Sequence, residues 1–255
     1  MTILELDNYE SFGTPGSGNQ VKFWVNNQLI KLDSKFKESD KEVSASKLAD
    51  IFEINHVDYF KVKSIYKNNV YNSCLCNSYL NSEIEEEISV FNILTLFNVN
   101  ITNNESSISY FNKVVYCINK FTGIDEKEIK HWLMVILTFD YLICNTDRHL
   151  SNINVIHNFI TNSYSLSPIY DCGQSFLGTN GDLTLKEIEN RSRKLKFRPF
   201  STNEKSNLVD ITYAKELLSK WETMAINKYG SLINIPINTG HNKIFRYRVN
   251  KLKSL

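Results

Sequence analysis

The sequence predicts an α+β fold in two lobes, a small antiparallel β lobe with one helix over residues 1–80 and a mainly helical lobe over residues 81–255. Three observations carry this reading. Short runs of alternating polar and apolar residues in the first segment give way to longer amphipathic runs after it. A chain of 255 residues with 42% hydrophobic content can bury a core without covalent staples. The polar string NTDRHLSN, residues 145–152, follows directly on one of the most apolar stretches of the chain, which is how a rigid helix delivers a reactive loop.

Charge and composition narrow the partners. Basic and acidic residues number 29 and 28, a formal charge of +1, so no global field recruits nucleic acid or an anionic membrane. The five cysteines (Cys74, Cys76, Cys117, Cys144, Cys172) are scattered, and no apolar segment follows Met1, which together predict a reducing cytoplasm. Cys74 and Cys76 form a C-x-C without a second pair, the pattern of buried small hydrophobes and not of structural zinc. The longest apolar run, Trp132 to Phe139, is broken by Asp140 and falls short of the ~20 residues a bilayer span needs, so it predicts a core helix and no membrane association.

In chain order, SFGTPGSGN (Ser11 to Asn19) is a glycine-rich loop. Val21, Phe23 and Val25 alternate with Lys22 and Trp24, Asn26-Asn27 can turn, and QLIKLD returns as a second strand with Lys31 inside it. SDKEVSASKLADIF places Glu42, Ala45, Ala49 and Phe52 on one stripe of a helix. Ser39 and Glu42 also match a capping box, which competes with an inward role for Glu42. Asp58 to Leu80 carries further strands of the same sheet. From Ser82 the acidic run EIEEEISVFNILTLF predicts a helix with carboxylates in its opening turns. ESSISYFNKVVYCINKF is the next helix, stopped by Gly123. Asp125 and Glu128 then cap a helix through HWLMVILTFDYLI.

That helix leads into Asn145 to Asn152, and NINVIHN with YSLSPIYD reads as a hairpin whose outer ends are Asn152 and Asp171. A hairpin brings its ends together, so an amide oxygen and a carboxylate would stand side by side, a donor set suited to Mg²⁺. Asp147 lies on the same loop. With a strand lysine upstream, these are the parts phosphoryl transfer requires: charge neutralisation, phosphate positioning and a group that orients the attacking hydroxyl. The bland alternative is a polar turn that caps a helix and a hairpin. His131 and His157 read as structural, and Cys144 and Cys172 as packing residues without a thiolate-activating motif.

The pair D-R-H-L-S-N and I-Y-D-C-G is similar to the D-R-H-x-x-N and D-x-G motifs of phosphoinositide-kinase-like folds. The wider string N-T-D-x-H-L-x-N, with Ser17-Gly18-Asn19-Gln20-Val21-Lys22 upstream, resembles the short HipA-like bacterial serine/threonine kinases. The resemblance implies a protein-kinase-like fold, ATP and Mg²⁺ as cofactors, and transfer to a serine or threonine hydroxyl of a protein. It implies that Asp147 accepts the hydroxyl proton and that Asn152 and Asp171 hold magnesium. Lys31, paired with Glu42, would contact the phosphates under the loop of Ser17 and Gly18, and His149 would support the catalytic loop. Ser17 matches the loop serine at which such kinases phosphorylate themselves. The chain departs from the pattern in having D-C-G in place of D-F-G and no G-K-S/T. Full-length HipA toxins carry an N-terminal subdomain that engages a DNA-binding antitoxin; the short stretch before Ser11 is expected to leave no room for it, which makes an antitoxin partner doubtful.

Two basic clusters remain. Arg191, Arg193, Lys194, Lys196 and Arg198 follow the metal motif and could receive an acidic or prephosphorylated substrate. Lys243, Arg246, Arg248, Lys251 and Lys253 interleave with aromatics, the best argument in the chain for nucleic-acid contact, which its charge balance does not support. The rival readings are a phosphoinositide or other small-alcohol kinase, and a catalytically silent module that keeps the fold for binding.

Overall fold

The computed structural model describes residues 3–12, 20–99, 106–179, 181–200 and 208–255; Ser17 and Gly18 lie outside them. The N-terminal part is a sheet of β1 (Ile3–Glu5), β2 (Ser11–Phe12), β3 (Lys22–Val25), β4 (Gln28–Leu32), β5 (Phe60–Tyr66) and β6 (Asn69–Asn77), in the order β1-β5-β6-β4-β3-β2. All its pairs are antiparallel except β1 with β5, so the expected antiparallel sheet gains one parallel edge. The two tight hairpins turn on Asn26-Asn27 and Lys67-Asn68, all four at positive φ, the left-handed backbone that matches the twist of the flanking strands. Asparagine tolerates that region, which is why the first turn is legible in sequence.

One helix, α1 (Glu38–Ile51), packs on β5 and β6. Ser39 lies inside its first turn and does not cap it: Lys37 is the N-cap residue, in left-handed backbone, and the Ser39 N–H is taken by the Asp33 carboxylate at 2.7 Å. Glu42 is therefore released from any capping box. Its stripe with Ala45, Ala49 and Phe52 is buried, as the spacing requires.

The acidic segment after Ser82 corrects a sequence expectation. It is not one helix but a strand, β7 (Glu85–Ser89), followed by a short helix, α2 (Val90–Leu96), whose first turn is capped by the Ser89 hydroxyl accepting from Asn92 N–H at 3.1 Å. Glutamates have low strand propensity, yet β7 finds a partner in β8 (Asn154–Asn158), which also pairs with β9 (Ser163–Leu166); a distant neighbour overrides the local preference.

The helical part is organised around α4 (Glu126–Ile143), whose last two turns are buried on every side. Against it pack α3 (Ser107–Thr122), closed by Gly123 in left-handed backbone, then α6 (Ile211–Tyr229) and α7 (Thr239–Lys253); a short α5 (Leu185–Ser192) adjoins α7. Asp125 caps α4 by accepting from Lys127 N–H. His131 sits on the exposed face of α4 within 2.6 Å of the Tyr213 hydroxyl. The five cysteines are buried and free. No helix of the described residues is long and apolar enough to cross a membrane.

Three of the five basic residues of α7 are not free surface cations. Arg248 is buried, donates to the Tyr141 carbonyl at 3.0 Å and lies 3.7 Å from the centre of that tyrosine ring. Lys243 pairs with Asp182 and Lys253 with Glu222. Helical periodicity turns the middle of the cluster into the core, where the arginine caps a carbonyl and stacks on an aromatic face.

His241 on α7 joins three segments. Its Nε2 reaches the Thr179 carbonyl at 3.0 Å, its Nδ1 reaches the Ser44 hydroxyl of α1 at 2.8 Å, and its ring stacks on Phe176 at 4.2 Å. A carbonyl only accepts, so Nε2 carries the proton and Ser44 donates to Nδ1. Burial holds the imidazole down to about 4, against 6.5 for an ordinary histidine. The unfolded chain therefore binds the extra proton first, and stability falls as pH drops from 6.5 towards 4. In urea titrations across that window, the stability advantage of wild type over His241→Gln is expected to shrink by up to about 3 kcal/mol.

Candidate active site

Strand alternation fixes the first residue of the site. On β4, Ile30 and Leu32 face one side with Phe23 and Leu6, so Lys31 between them must face the other, towards α1. There its ammonium, 2% exposed, lies 2.7 Å from Glu42 Oε1 and 3.0 Å from Asp171 Oδ1, and 4.9 Å from the centre of the Tyr59 ring. Burial alone would depress the lysine; Asp171 and then Glu42 outweigh it and hold its pKa well above the ordinary value. Lys31 is thus a fixed cation.

Glu42 uses its second oxygen to accept the Cys172 N–H at 2.8 Å, so one carboxylate ties the strand lysine to the residue after Asp171. The next position favours glycine: a Cβ on Gly173 would stand 3.1 Å from Glu38 Cβ and 3.4 Å from Glu42 Oε1, so α1 would have to shift slightly to admit one. Asp171 itself adopts φ 57, a left-handed conformation uncommon for a side-chain-bearing residue and frequent at functional sites. Lys31 holds its carboxyl far below the usual range against the opposing effect of burial, with Lys22 and Arg148 adding to the pull. It is ionised at any physiological pH. Its Oδ2 accepts from Asn152 Nδ2 at 3.2 Å, so the β8–β9 hairpin does bring its outer ends together.

Asn152 closes a single 3-10 turn, Leu150–Asn152, with its N–H donated to the His149 carbonyl at 2.8 Å. His149 is half-buried and shapes this turn through its backbone. Asp147 is exposed on the loop, with its N–H held by Asn145 Oδ1 at 3.2 Å and Arg198 Nη1 at 3.9 Å from its carboxylate. Lys31, Glu42, Asn152 and Asp171 therefore form one bonded group; on the adjoining loop His149 touches it through its carbonyl on Asn152 N–H, whereas the partners of Asp147 are Asn145 and Arg198.

Sequence reasoning passed over what holds the two parts together. Arg148, 1% exposed, donates from Nε to Asp140 Oδ2 at 2.9 Å and from Nη2 to Asp140 Oδ1 at 3.2 Å. Its remaining nitrogen, Nη1, donates to the carbonyls of Tyr170 at 2.5 Å and Asn152 at 3.3 Å. One buried guanidinium thus fixes the backbone on both sides of the Asn152–Asp171 pair. Burial pushes the Asp140 carboxyl up, opposed by Arg148, while Asn145 Nδ2 supplies a further bond at 2.9 Å. The signal was present: Asp140 is the charge that interrupts the apolar run of α4, and a carboxylate there demands a partner.

A cleft of about 380 Å³ opens beside this group. Trp24, Leu29, Val57 and Leu80 give it apolar walls, and Lys22, Lys31, Asn152 and Asp171 line its polar end. Tyr79 and Tyr170 stack loosely at 5.9 Å, and Asn154 donates both to Tyr170 Oη at 2.6 Å and to Glu87 at 2.8 Å, which places β7 at the cleft wall. Apolar walls with a cationic and carboxylate floor suit a flat, partly hydrophobic ligand that carries phosphates. Asp171 and Asn152 offer oxygen donors within hydrogen-bond reach of one another, the chemistry a hard divalent cation selects once the amide presents its oxygen.

Comparison with known proteins bears on the family and the fold. The family model described as HipA-like C-terminal domain matches residues 17–228. The serine/threonine-protein kinase CtkA of Helicobacter pylori is 22% identical over 209 residues, 78% of this chain and 62% of that protein, so the chain spans about three fifths of the length of this curated relative. Among solved structures, that of a Helicobacter pylori proinflammatory kinase CtkA matches with a TM-score of 0.63 at 17% identity, over 99% of this chain and 95% of that one. A chain from the Shewanella oneidensis toxin–antitoxin complex of HipA, HipB and operator DNA matches with a TM-score of 0.54 at 10% identity, over 94% and 61%. Both likenesses show a kinase-like α+β fold.

The Asp140–Arg148 pair can be tested apart from any ligand. Asp140→Asn or Arg148→Met leaves an uncompensated charge in the core and should cost about 3–5 kcal/mol by urea denaturation. Removing both in Asp140→Leu/Arg148→Met should cost less than the sum of the two, with a coupling of at least about 2 kcal/mol.

Proposed function

The chain belongs to the HipA-like C-terminal domain family, and from that premise we propose that it is a serine/threonine protein kinase, dependent on ATP and Mg²⁺, that also phosphorylates itself. The observation that carries the proposal is the bonded group of Lys31, Glu42, Asn152 and Asp171 at the polar end of the cleft. These residues come from β4, α1 and the two ends of a hairpin, and a packing role alone would not need charged side chains to meet there.

The roles follow from the chemistry of each group. Lys31 is held cationic and aimed by Glu42, so it can take the phosphate oxygens of a nucleotide laid in the cleft. Asn152 and Asp171 would hold the magnesium ion, which supplies charge neutralisation on the phosphates when bound. Ser17 and Gly18 would contribute to binding the nucleotide. Asp147 would orient the acceptor hydroxyl and take its proton as the new oxygen–phosphorus bond forms and the bond to the leaving ADP oxygen breaks. His149 shapes the turn that presents Asn152. Because Asp171 is ionised throughout the physiological range, activity should not depend on its titration. A protein hydroxyl is the acceptor the curated relative's name indicates for that protein, and Ser17 is the acceptor we assign for the reaction of the chain on itself.

Intact-mass measurement of the purified protein after incubation with Mg-ATP tests this. Wild type is expected to gain whole phosphates, with Ser17 as the mapped site. Asp147→Asn should slow the gain by about 10²–10⁴-fold while nucleotide binding persists, and Asp171→Ala should abolish it. No gain with ATP still bound would assign the site to some other alcohol; no ATP binding would overturn the kinase reading.

A further inference from the structure

Asp147 forms an ion pair among the described residues with Arg198, whose Nη1 stands 3.9 Å from its Oδ1. The arginine is not a wandering surface side chain at its backbone. Its neighbour Phe197 is fully buried and stacks on Tyr141 at 5.7 Å, and Phe200 is buried against Tyr110 and Phe111 at 5.6 and 5.4 Å. Two aromatic anchors thus hold the short span of Arg198 and Pro199 beside the loop of Asp147. The side chains are 65% and 53% exposed, so the pair between them is weak and the guanidinium is free to exchange its partner. Lys194 and Lys196 are exposed on the same segment, and Arg191 is exposed on α5, with no ion pair to a carboxylate among the described residues; Arg193 pairs with Glu189. In a chain of net charge +1 this stretch is rich in cations, and Arg198 is the one whose ion pair with Asp147 the described residues show.

From this juxtaposition we infer that the protein takes acceptor hydroxyls flanked by an anionic side chain, with Arg198 as the specificity-determining residue that receives the anion; this rests on the kinase reading of Asp147. A carboxylate beside the acceptor would be repelled by Asp147 unless a cation stood between them. Arg198 occupies that place, and its planar fork matches carboxylate or phosphate oxygens. Engaging the substrate anion draws the guanidinium away from Asp147, which leaves the aspartate free to face the acceptor hydroxyl. Recognition and readiness are then one exchange of ion pairs.

Binding is read by fluorescence anisotropy with labelled serine peptides that differ at one flanking position, Asp, phosphoserine, Asn or Lys, against the full chain, Arg198→Ala and Arg198→Glu. Wild type is expected to bind the Asp or phosphoserine peptide at least about 10-fold more tightly than the Asn peptide, a difference of about 1.4 kcal/mol. The two anionic arms tell which anion the site prefers. Arg198→Ala should lose that preference and Arg198→Glu should shift it towards Lys. Equal binding of anionic and neutral peptides, or a preference unchanged in Arg198→Ala, overturns the inference. Phosphoryl transfer to the same peptides separates the other possibilities: an equal loss of rate on every peptide in Arg198→Ala would assign the arginine to transfer chemistry and overturn its specificity role. No transfer to any peptide with the binding preference intact would count against the kinase reading while supporting the anion site.

Discussion

The buried ammonium of Lys31 is the constraint on which the rest of the site depends. A cation taken out of water must be matched by carboxylates at close range, or the fold pays the full cost of desolvation. Glu42 and Asp171 match it at 2.7 and 3.0 Å, and each arrives from a different part of the chain. The sheet, α1 and the β8–β9 hairpin are therefore locked in one relative position by electrostatics that tolerates little displacement. Gly173 shows how tight the fit is, since α1 passes too close to admit even a methyl group without adjustment.

Asp140 and Arg148 repeat the device on the other side of the hairpin. The carboxylate comes from the most buried helix and the guanidinium from the loop that follows it, and the arginine spends its remaining donor on two backbone carbonyls next to Asn152 and Asp171. Each pair costs desolvation and is a weak source of stability in itself. Its value is geometric: hydrogen bonds with defined directions fix how the polar ends of the hairpin stand to one another. Asp147, by contrast, stands exposed with a weak partner in Arg198.

The helical body serves these pairs. α4 ends in a left-handed Cys144 and hands its rigidity directly to Asn145 and the loop beyond. α7 closes its flank through Arg248, whose charge is absorbed by a carbonyl and the face of Tyr141. His241, kept neutral by burial, links α1 to the segment beyond Gly173 without adding a charge to a region that already carries several.

Local pattern was enough for much of this chain. The alternation around Phe23 and Lys31, the Asn26-Asn27 turn, the stop at Gly123 and the apolar helix before Asn145 follow from spacing, because strand and helix periods dictate which residues share a face. What the sequence left open are properties of distant neighbours. Glu42 could cap its own helix or reach Lys31, and packing of α1 on the sheet chose the second. The glutamates of β7 favour a helix in isolation and become a strand because β8 offers an edge 67 residues later, where Asn154 meets Glu87. The basic residues of α7 look like a surface in one dimension, yet Arg248 is core because α4 lies against it. Arg148 and Asp140 needed a folded loop to meet. Periodicity and turn chemistry act over a few residues and are written in the chain; pairing between charges, and between strand edges, depends on which segments arrive together, and only the tertiary structure decides that.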